Sequence, residues 1–180
     1  NYPAYRPGQY WRVDSPEQFV NTAISAIYEP GSVFKPVTLA AALEARVIRP
    51  SDTYDDRGEI IVGNQRILNA DRKAHGRTTM TELLAYSRNV GAAHVAALLG
   101  PTRFYEMVRK FGFSEVTGVD LALEVAGIMR VPGNRYWHMS DMGTNAFGQG
   151  ISVTPLQIVA AYAAIANDGV LMRPYVVSEI

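Results

Sequence analysis

The stretch "YEPGSVFKP", Tyr28 to Pro36, limits what this chain can do more tightly than any other. Pro30-Gly31 ends whatever precedes it, and the Ala/Leu-rich run "VFKPVTLAAALEAR" that follows has the composition of a helix. Pro36 has no backbone N–H, so it is tolerated only in the first turn, where the N–H groups have no intrahelical partner anyway. The helix must therefore begin close to Ser32. That places Ser32 at the positive end of a helix dipole, with Lys35 three residues on and on the same face. A serine hydroxyl in that position favours developing negative charge, and a lysine beside it can take the hydroxyl proton if its amine is neutral. Neutrality requires lowering the lysine pKa by about three units, roughly 4 kcal/mol, through burial or a neighbouring cation. The same spacing also arises when an N-cap serine simply precedes a helix lysine.

The rest of the chain divides by pattern. Residues 1–18 are rich in Pro, Tyr, Gly and Arg and read as an irregular lead-in to a helical region over 19–180. "FVNTAISAI" (19–27) fits a helical turn or an extended segment. Residues 50–78 suggest loop with short strands, including a hairpin about Gly63-Asn64 with arms "EIIV" and "RIL". "TMTE" (79–82) has capping-box spacing and opens a short helix. "SRN" (87–89) interrupts it, and a second helix runs to Gly100-Pro101. "TRFYEMVRKFG" is amphipathic, with Phe104, Met107, Val108 and Phe111 on one face. Residues 113–150 read as Gly-rich and irregular. "TPLQIVAAYAAIANDG" (154–169) carries an N-cap Thr, Pro at N1, a box-closing Gln157 and a Gly stop. "VLMRPYVVSEI" (170–180) reads as a strand.

Composition excludes several functions. Formal net charge is zero and pI near neutral, which argues against nucleic acid or an anionic membrane surface as a main partner. With no cysteine there is no disulfide framework, thiolate nucleophile or Cys-based zinc site. His75, His94 and His138 are far apart without ligand spacing, and the aspartates of "SDTYDDRGE" are out of EF-hand order, so neither a metal nor a cofactor is expected. "GFSEVTG" lacks the lysine of a phosphate loop. Tyr2, Tyr5, Tyr10 and Trp11 suit loop packing or a groove, and Trp137 could wall a cleft. No apolar run spans a bilayer and "NYPAYRPGQYW" does not look like a signal peptide, so no anchor is expected within the chain.

Ser87 and Asn89 in "SRN" can point the same way from a turn and present a hydroxyl and an amide to one pocket; a helix cap or an Asx-turn would use them equally. Taken together, "YEPGSVFKP", "SRN", "FGQG" and "TPLQ" resemble the transpeptidase domain of penicillin-binding proteins, whose S-x-x-K and S-x-N elements they match. The wording "FVN-x-A-x-S", "YEPGS-x-FKP" and "AFGQGISVTPLQ" is similar to the class B, monofunctional enzymes of cell elongation and division, over about Phe19 to Val177. The resemblance implies an α+β, β-lactamase/transpeptidase-like fold. It makes Ser32 the acylated nucleophile, Lys35 its base, Ser87 a proton relay and Asn89 a holder of the substrate amide. It also makes the Ser32 N–H an oxyanion donor and puts Trp137, Gly148, Gln149 and Gly150 beside the substrate. The implied substrates are peptidoglycan stem peptides ending in D-Ala-D-Ala, with β-lactams as covalent inhibitors, a glycosyltransferase as a further partner and an extracytoplasmic location.

The K-T-G element of the family is missing: Lys73 is followed by Ala-His and Lys110 by Phe-Gly. The expectation is therefore the serine-bearing helical part of the domain, without most of its sheet, needing a complementary polypeptide to supply the K-T-G strand. A serine β-lactamase would need a water-activating base that the sequence does not display. The remaining alternative is a β-lactam sensor or an inactive partner-binding relative, and the intact Ser32, Lys35, Ser87 and Asn89 set argues against degeneration.

Overall fold

The computed structural model describes residues 5–179. Tyr2 and Ile180, on which two of the expectations above touch, lie outside them. Two 3-10 turns, Pro7–Arg12 and Pro16–Phe19, lead into a one-turn helix α1 (Thr22–Ser25). A third 3-10 turn, Gly31–Phe34, carries Ser32 and runs into α2 (Lys35–Glu44). Strands β1 (Thr53–Asp56), β2 (Glu59–Val62), β3 (Gln65–Leu68) and β4 (Gly76–Thr79) follow, then α3 (Met80–Ala85), α4 (Asn89–Lys110), α5 (Met139–Asn145) and α6 (Pro155–Ala166). The strands form two separate antiparallel pairs. In one, β2 and β3 are joined through Gly63-Asn64, with Val62 opposite Gln65; in the other, β1 runs against β4, with Thr53 opposite Thr79.

The core lies where α2 crosses α4. Val37, Leu39, Ala41 and Ala42 of α2 meet Val90, Ala92, Ala93, Val95 and Ala96 of α4, all buried. The small side chains let the two backbones approach. Gly91 is required there, because a Cβ would overlap the Tyr54 hydroxyl and the Leu83 side chain. Phe34, Phe104 and Phe113 close the far side, with Phe34 and Phe113 rings 5.0 Å apart. His94 stacks on Tyr54 at 5.5 Å as a half-buried helix residue, and burial lowers its pKa.

Several sequence signals correspond to observed elements. Both capping boxes form: Thr79 accepts from the Glu82 N–H and Thr154 from the Gln157 N–H, while each box's Glu or Gln side chain accepts from the cap N–H. The helix that opens after "SRN" ends at Gly100-Pro101 as expected: Gly100 leaves helical geometry with φ 73° and ψ 162°, and a second helix starts at once, so α4 is two helices joined at a kink. Two expectations need correction. Residues 113–150 contain a helix, α5, opened by His138 and Asp141 in a third capping arrangement that leaves no Ser or Thr signature. No strand forms over 170–179: the Val176 and Val177 N–H groups are taken by the Asp120 carboxylate at 2.7 and 2.8 Å, and the β-branched residues there have no neighbouring strand. No helix among the described residues is long and apolar enough to cross a membrane.

Candidate active site

Ser32 is exposed while Lys35, one turn later, is 1% exposed. Gly31 supplies the turn between them and Pro30 by taking φ 60°, which a side chain would resist. The Lys35 Nζ lies within hydrogen-bonding distance of four oxygens: Ser32 Oγ at 3.0 Å, Ser87 Oγ at 2.8 Å, Asn89 Oδ1 at 2.8 Å and the Ser87 carbonyl at 2.7 Å. The structure therefore brings Ser32, Lys35, Ser87 and Asn89 to one point, although the chain separates the pairs by more than fifty residues.

The types of these four oxygens matter. The Ser87 carbonyl and the Asn89 Oδ1 can only accept, and the Asn89 amide is fixed that way round because its Nδ2 donates to the Leu68 carbonyl at 3.2 Å. The two serine hydroxyls can donate or accept. A neutral amine has two N–H donors and one lone pair, so its donors suit the two obligatory acceptors and its lone pair can receive a hydroxyl proton. An ammonium has three donors and no lone pair, so it could not receive that proton. Burial favours the neutral form and brings the Lys35 pKa down to about 8.

Ser87 holds φ 55°, a left-handed conformation that costs a non-glycine residue about 1–2 kcal/mol. Local ties keep it there: the Ser87 N–H donates to Leu84 O at 3.1 Å, the Arg88 N–H to Leu83 O at 2.9 Å, and the Ser87 carbonyl accepts from Lys35. The strained turn aims the carbonyl and the hydroxyl of one residue at the same amine.

The "FGQG" segment supports the Ser32 turn from behind. The Gly31 N–H donates to the Gly148 carbonyl at 2.9 Å, and Tyr28 and Val153 exchange N–H to O bonds at 3.0 and 2.9 Å. A Cβ on Gly148 would overlap the Gly31 backbone, and Gly148 sits at φ 77°. Gly148 is buried, whereas Gln149 and Gly150 are exposed; the Gly150 N–H donates to Glu29 at 2.9 Å. Trp137 is half-buried against the core, and its Nε1 donates to the Tyr105 hydroxyl at 2.9 Å. With the Asn145 amide turned to satisfy its surroundings, Oδ1 accepts from Tyr105 at 3.0 Å and the nitrogen donates to the Asp141 and Gln149 carbonyls at 3.0 and 2.8 Å. Trp137 is thus joined to the "FGQG" segment through Tyr105 and Asn145 rather than through a contact with Ser32.

Sequence reasoning missed Tyr105, Asn145, Asn69 and Asp56. Only Asp56 left a trace, as an acid two residues from Tyr54 on the inward face of a short strand.

An exposed serine hydroxyl held against a buried lysine, with a second serine and an asparagine closing the lysine's other side, defines a serine–lysine site. The profile of the "Penicillin binding protein transpeptidase domain" matches residues 1–180, and the chain belongs to that family. It is 38% identical over 178 residues to stage V sporulation protein D of Bacillus subtilis, covering 98% of this chain and 27% of the relative. It is 30% identical over 190 residues to the peptidoglycan D,D-transpeptidase FtsI homolog of Mesostigma viride, covering 99% of this chain and 31% of the relative. Penicillin binding protein 3 of Mycobacterium tuberculosis, solved in complex with ampicillin, superposes with TM-score 0.78 at 39% identity, over 86% of this chain and 34% of that one. The chain thus spans between a quarter and a third of the length of these curated relatives.

Proposed function

We propose that the protein is a serine acyltransferase, a peptidoglycan D,D-transpeptidase, with Ser32 as nucleophile. The observation that carries this is the Lys35 amine: buried, with a lowered pKa, and 3.0 Å from the Ser32 hydroxyl. The relative named a peptidoglycan D,D-transpeptidase and the solved relative bound to ampicillin support the same reaction class.

In the proposed reaction the Ser32 Oγ–H proton passes to neutral Lys35 as Oγ attacks the carbonyl carbon of the penultimate D-Ala. The Ser32 N–H stands at the start of its turn and stabilises the oxyanion. The scissile C–N bond then breaks, and the leaving D-Ala amine takes a proton from Lys35 by way of the Ser87 hydroxyl, which is 2.8 Å from Nζ. Asn89 orients the substrate amide. An amine from a neighbouring stem peptide attacks the resulting ester, gives up its proton along the same route and frees Ser32. A β-lactam follows the first half: its ring amide C–N bond opens and the product stays on Ser32. In this reading Gln149 and Gly150 line the substrate groove, Gly148 acts by seating Gly31, and Trp137 acts through Tyr105 and Asn145. Such substrates place the work on the outer side of the cytoplasmic membrane. The K-T-G element that the resemblance implies is not among these 180 residues, so the test belongs in the complete protein. Fluorescent penicillin should label that protein on the Ser32 peptide, and Ser32→Ala should abolish labelling. Label that survives in Ser32→Ala sinks the assignment.

A further inference from the structure

The end of β3 and the three residues after it reach across to the three residues after Ser87. The Leu68 carbonyl accepts from Asn89 Nδ2 at 3.2 Å, the Asn69 Oδ1 accepts from the Val90 N–H at 3.1 Å, and the Asp71 carboxylate accepts from Arg88 Nη1 at 2.9 Å. Arg88 is the N-cap of α4 and offers no side-chain cap of its own. Asn69, twenty-one residues before Val90, supplies the missing acceptor.

Asn69 is itself held from within the core. It is 2% exposed, and its Nδ2 donates to both oxygens of Asp56 at 2.9 and 2.8 Å and to the Lys73 carbonyl at 3.2 Å. Asp56 is fully buried and, among the described residues, makes no ion pair. Its carboxylate accepts from Asn69, from the Gly58 N–H at 2.8 Å and from the Tyr54 hydroxyl at 3.4 Å. A buried carboxylate without a cation is costly unless its hydrogen bonds are complete. Arranged in this way, it leaves the Asn69 side chain one orientation, with Oδ1 toward α4. The first turn of α4 carries Asn89 and adjoins the strained Ser87, so its placement sets where two of the three oxygen-bearing residues around Lys35 stand.

We infer that Asn69, locked by the buried Asp56 carboxylate, is a positioning residue that fixes the start of α4 and thereby holds Ser87 and Asn89 in register with Lys35. This rests on the reading of Ser32 as the acylated nucleophile. Displacements of about 1 Å at a reacting centre cost on the order of a hundredfold in rate, so loosening this tie should appear in the acylation step rather than in penicillin affinity.

Two double variants of the complete protein separate positioning from folding. Both carry Asp56→Asn, which removes the buried charge. Asn69→Asp in that background keeps an oxygen facing the Val90 N–H and a partner for the amide introduced at position 56; Asn69→Ala keeps neither. At saturating penicillin, D56N/N69D should acylate within about threefold of wild type and D56N/N69A at least tenfold slower, with little change in half-saturating concentration. If D56N/N69A does not fold, Asn69→Ser in the same background replaces it under the same two outcomes, since it refills most of the volume with a hydroxyl too short to reach Val90. Equal acylation rates in the folded pair overturn the inference. Wild-type protein that does not label at Ser32 overturns the proposed reaction instead, which keeps the two failures distinct.

Discussion

At the scale of single residues, Lys35 carries both the proposed chemistry and a measurable cost. Its folded pKa of about 8 lies below the 10.5 of a free lysine, so the folded state binds fewer protons than the unfolded chain between those values. Unfolding free energy must then rise with pH across that window. The penalty is fully present below pH 8 and relieved above pH 10.5, about 3 kcal/mol in all. Lys35→Met removes the titrating group while keeping most of the apolar stem. Denaturant melts of the two proteins should therefore differ by a constant below pH 8, and wild type should gain about 3 kcal/mol on the variant by pH 10.5. Parallel pH–stability curves would mean that Lys35 is not desolvated. Gly148 is a second residue with a clear prediction. An alanine there must hold φ near 77° and overlap Gly31, so Gly148→Ala should slow Ser32 acylation at least tenfold in protein that still melts cooperatively. Wild-type acylation in that variant would show that the Gly31 turn does not depend on it.

Elements explain what the sequence could reveal. Ser32 and Lys35 were legible because their relation is local: one turn, started by Pro30-Gly31 and pinned by Pro36. The hairpin about Gly63-Asn64 and the boxes at Thr79 and Thr154 were legible for the same reason. Asn69 was not, because nothing near it in the chain says that its amide will cap a helix twenty-one residues away. The valines at 176 and 177 misled because strand propensity describes a side chain's fit to a sheet, and here the backbone bonds go to Asp120. The helix α6 box also grades two substitutions. Thr154→Ala loses one cap, about 1 kcal/mol. Gln157 is 1% exposed and donates to the Glu115 and Ala126 carbonyls at 2.7 and 2.9 Å besides closing the box, so Gln157→Ala strands the buried Thr154 N–H and two part-buried carbonyls and should cost about 2–3 kcal/mol. Urea melts giving the reverse order would place the main role of the "TPLQ" element in its cap.

Across the whole molecule, the parts that meet at Lys35 come from opposite ends of the fold. The Ser32 turn is braced by the "FGQG" segment and by the Tyr28–Val153 bridge; the Ser87 and Asn89 side is braced by the loop after β3 and the buried Asp56. The α2–α4 core joins the two halves and keeps Lys35 out of water. The central claim is that this enclosure makes Lys35 a base for Ser32 near neutral pH. With a pKa of about 8, roughly a tenth of Lys35 is neutral at pH 7. The direct measurement is the second-order rate of Ser32 acylation by penicillin against pH in the complete protein. The rate should climb about tenfold per pH unit below 8 and level off above it. A profile flat from pH 6 to 9, or one still climbing at pH 10, would contradict the assignment of Lys35 as the base.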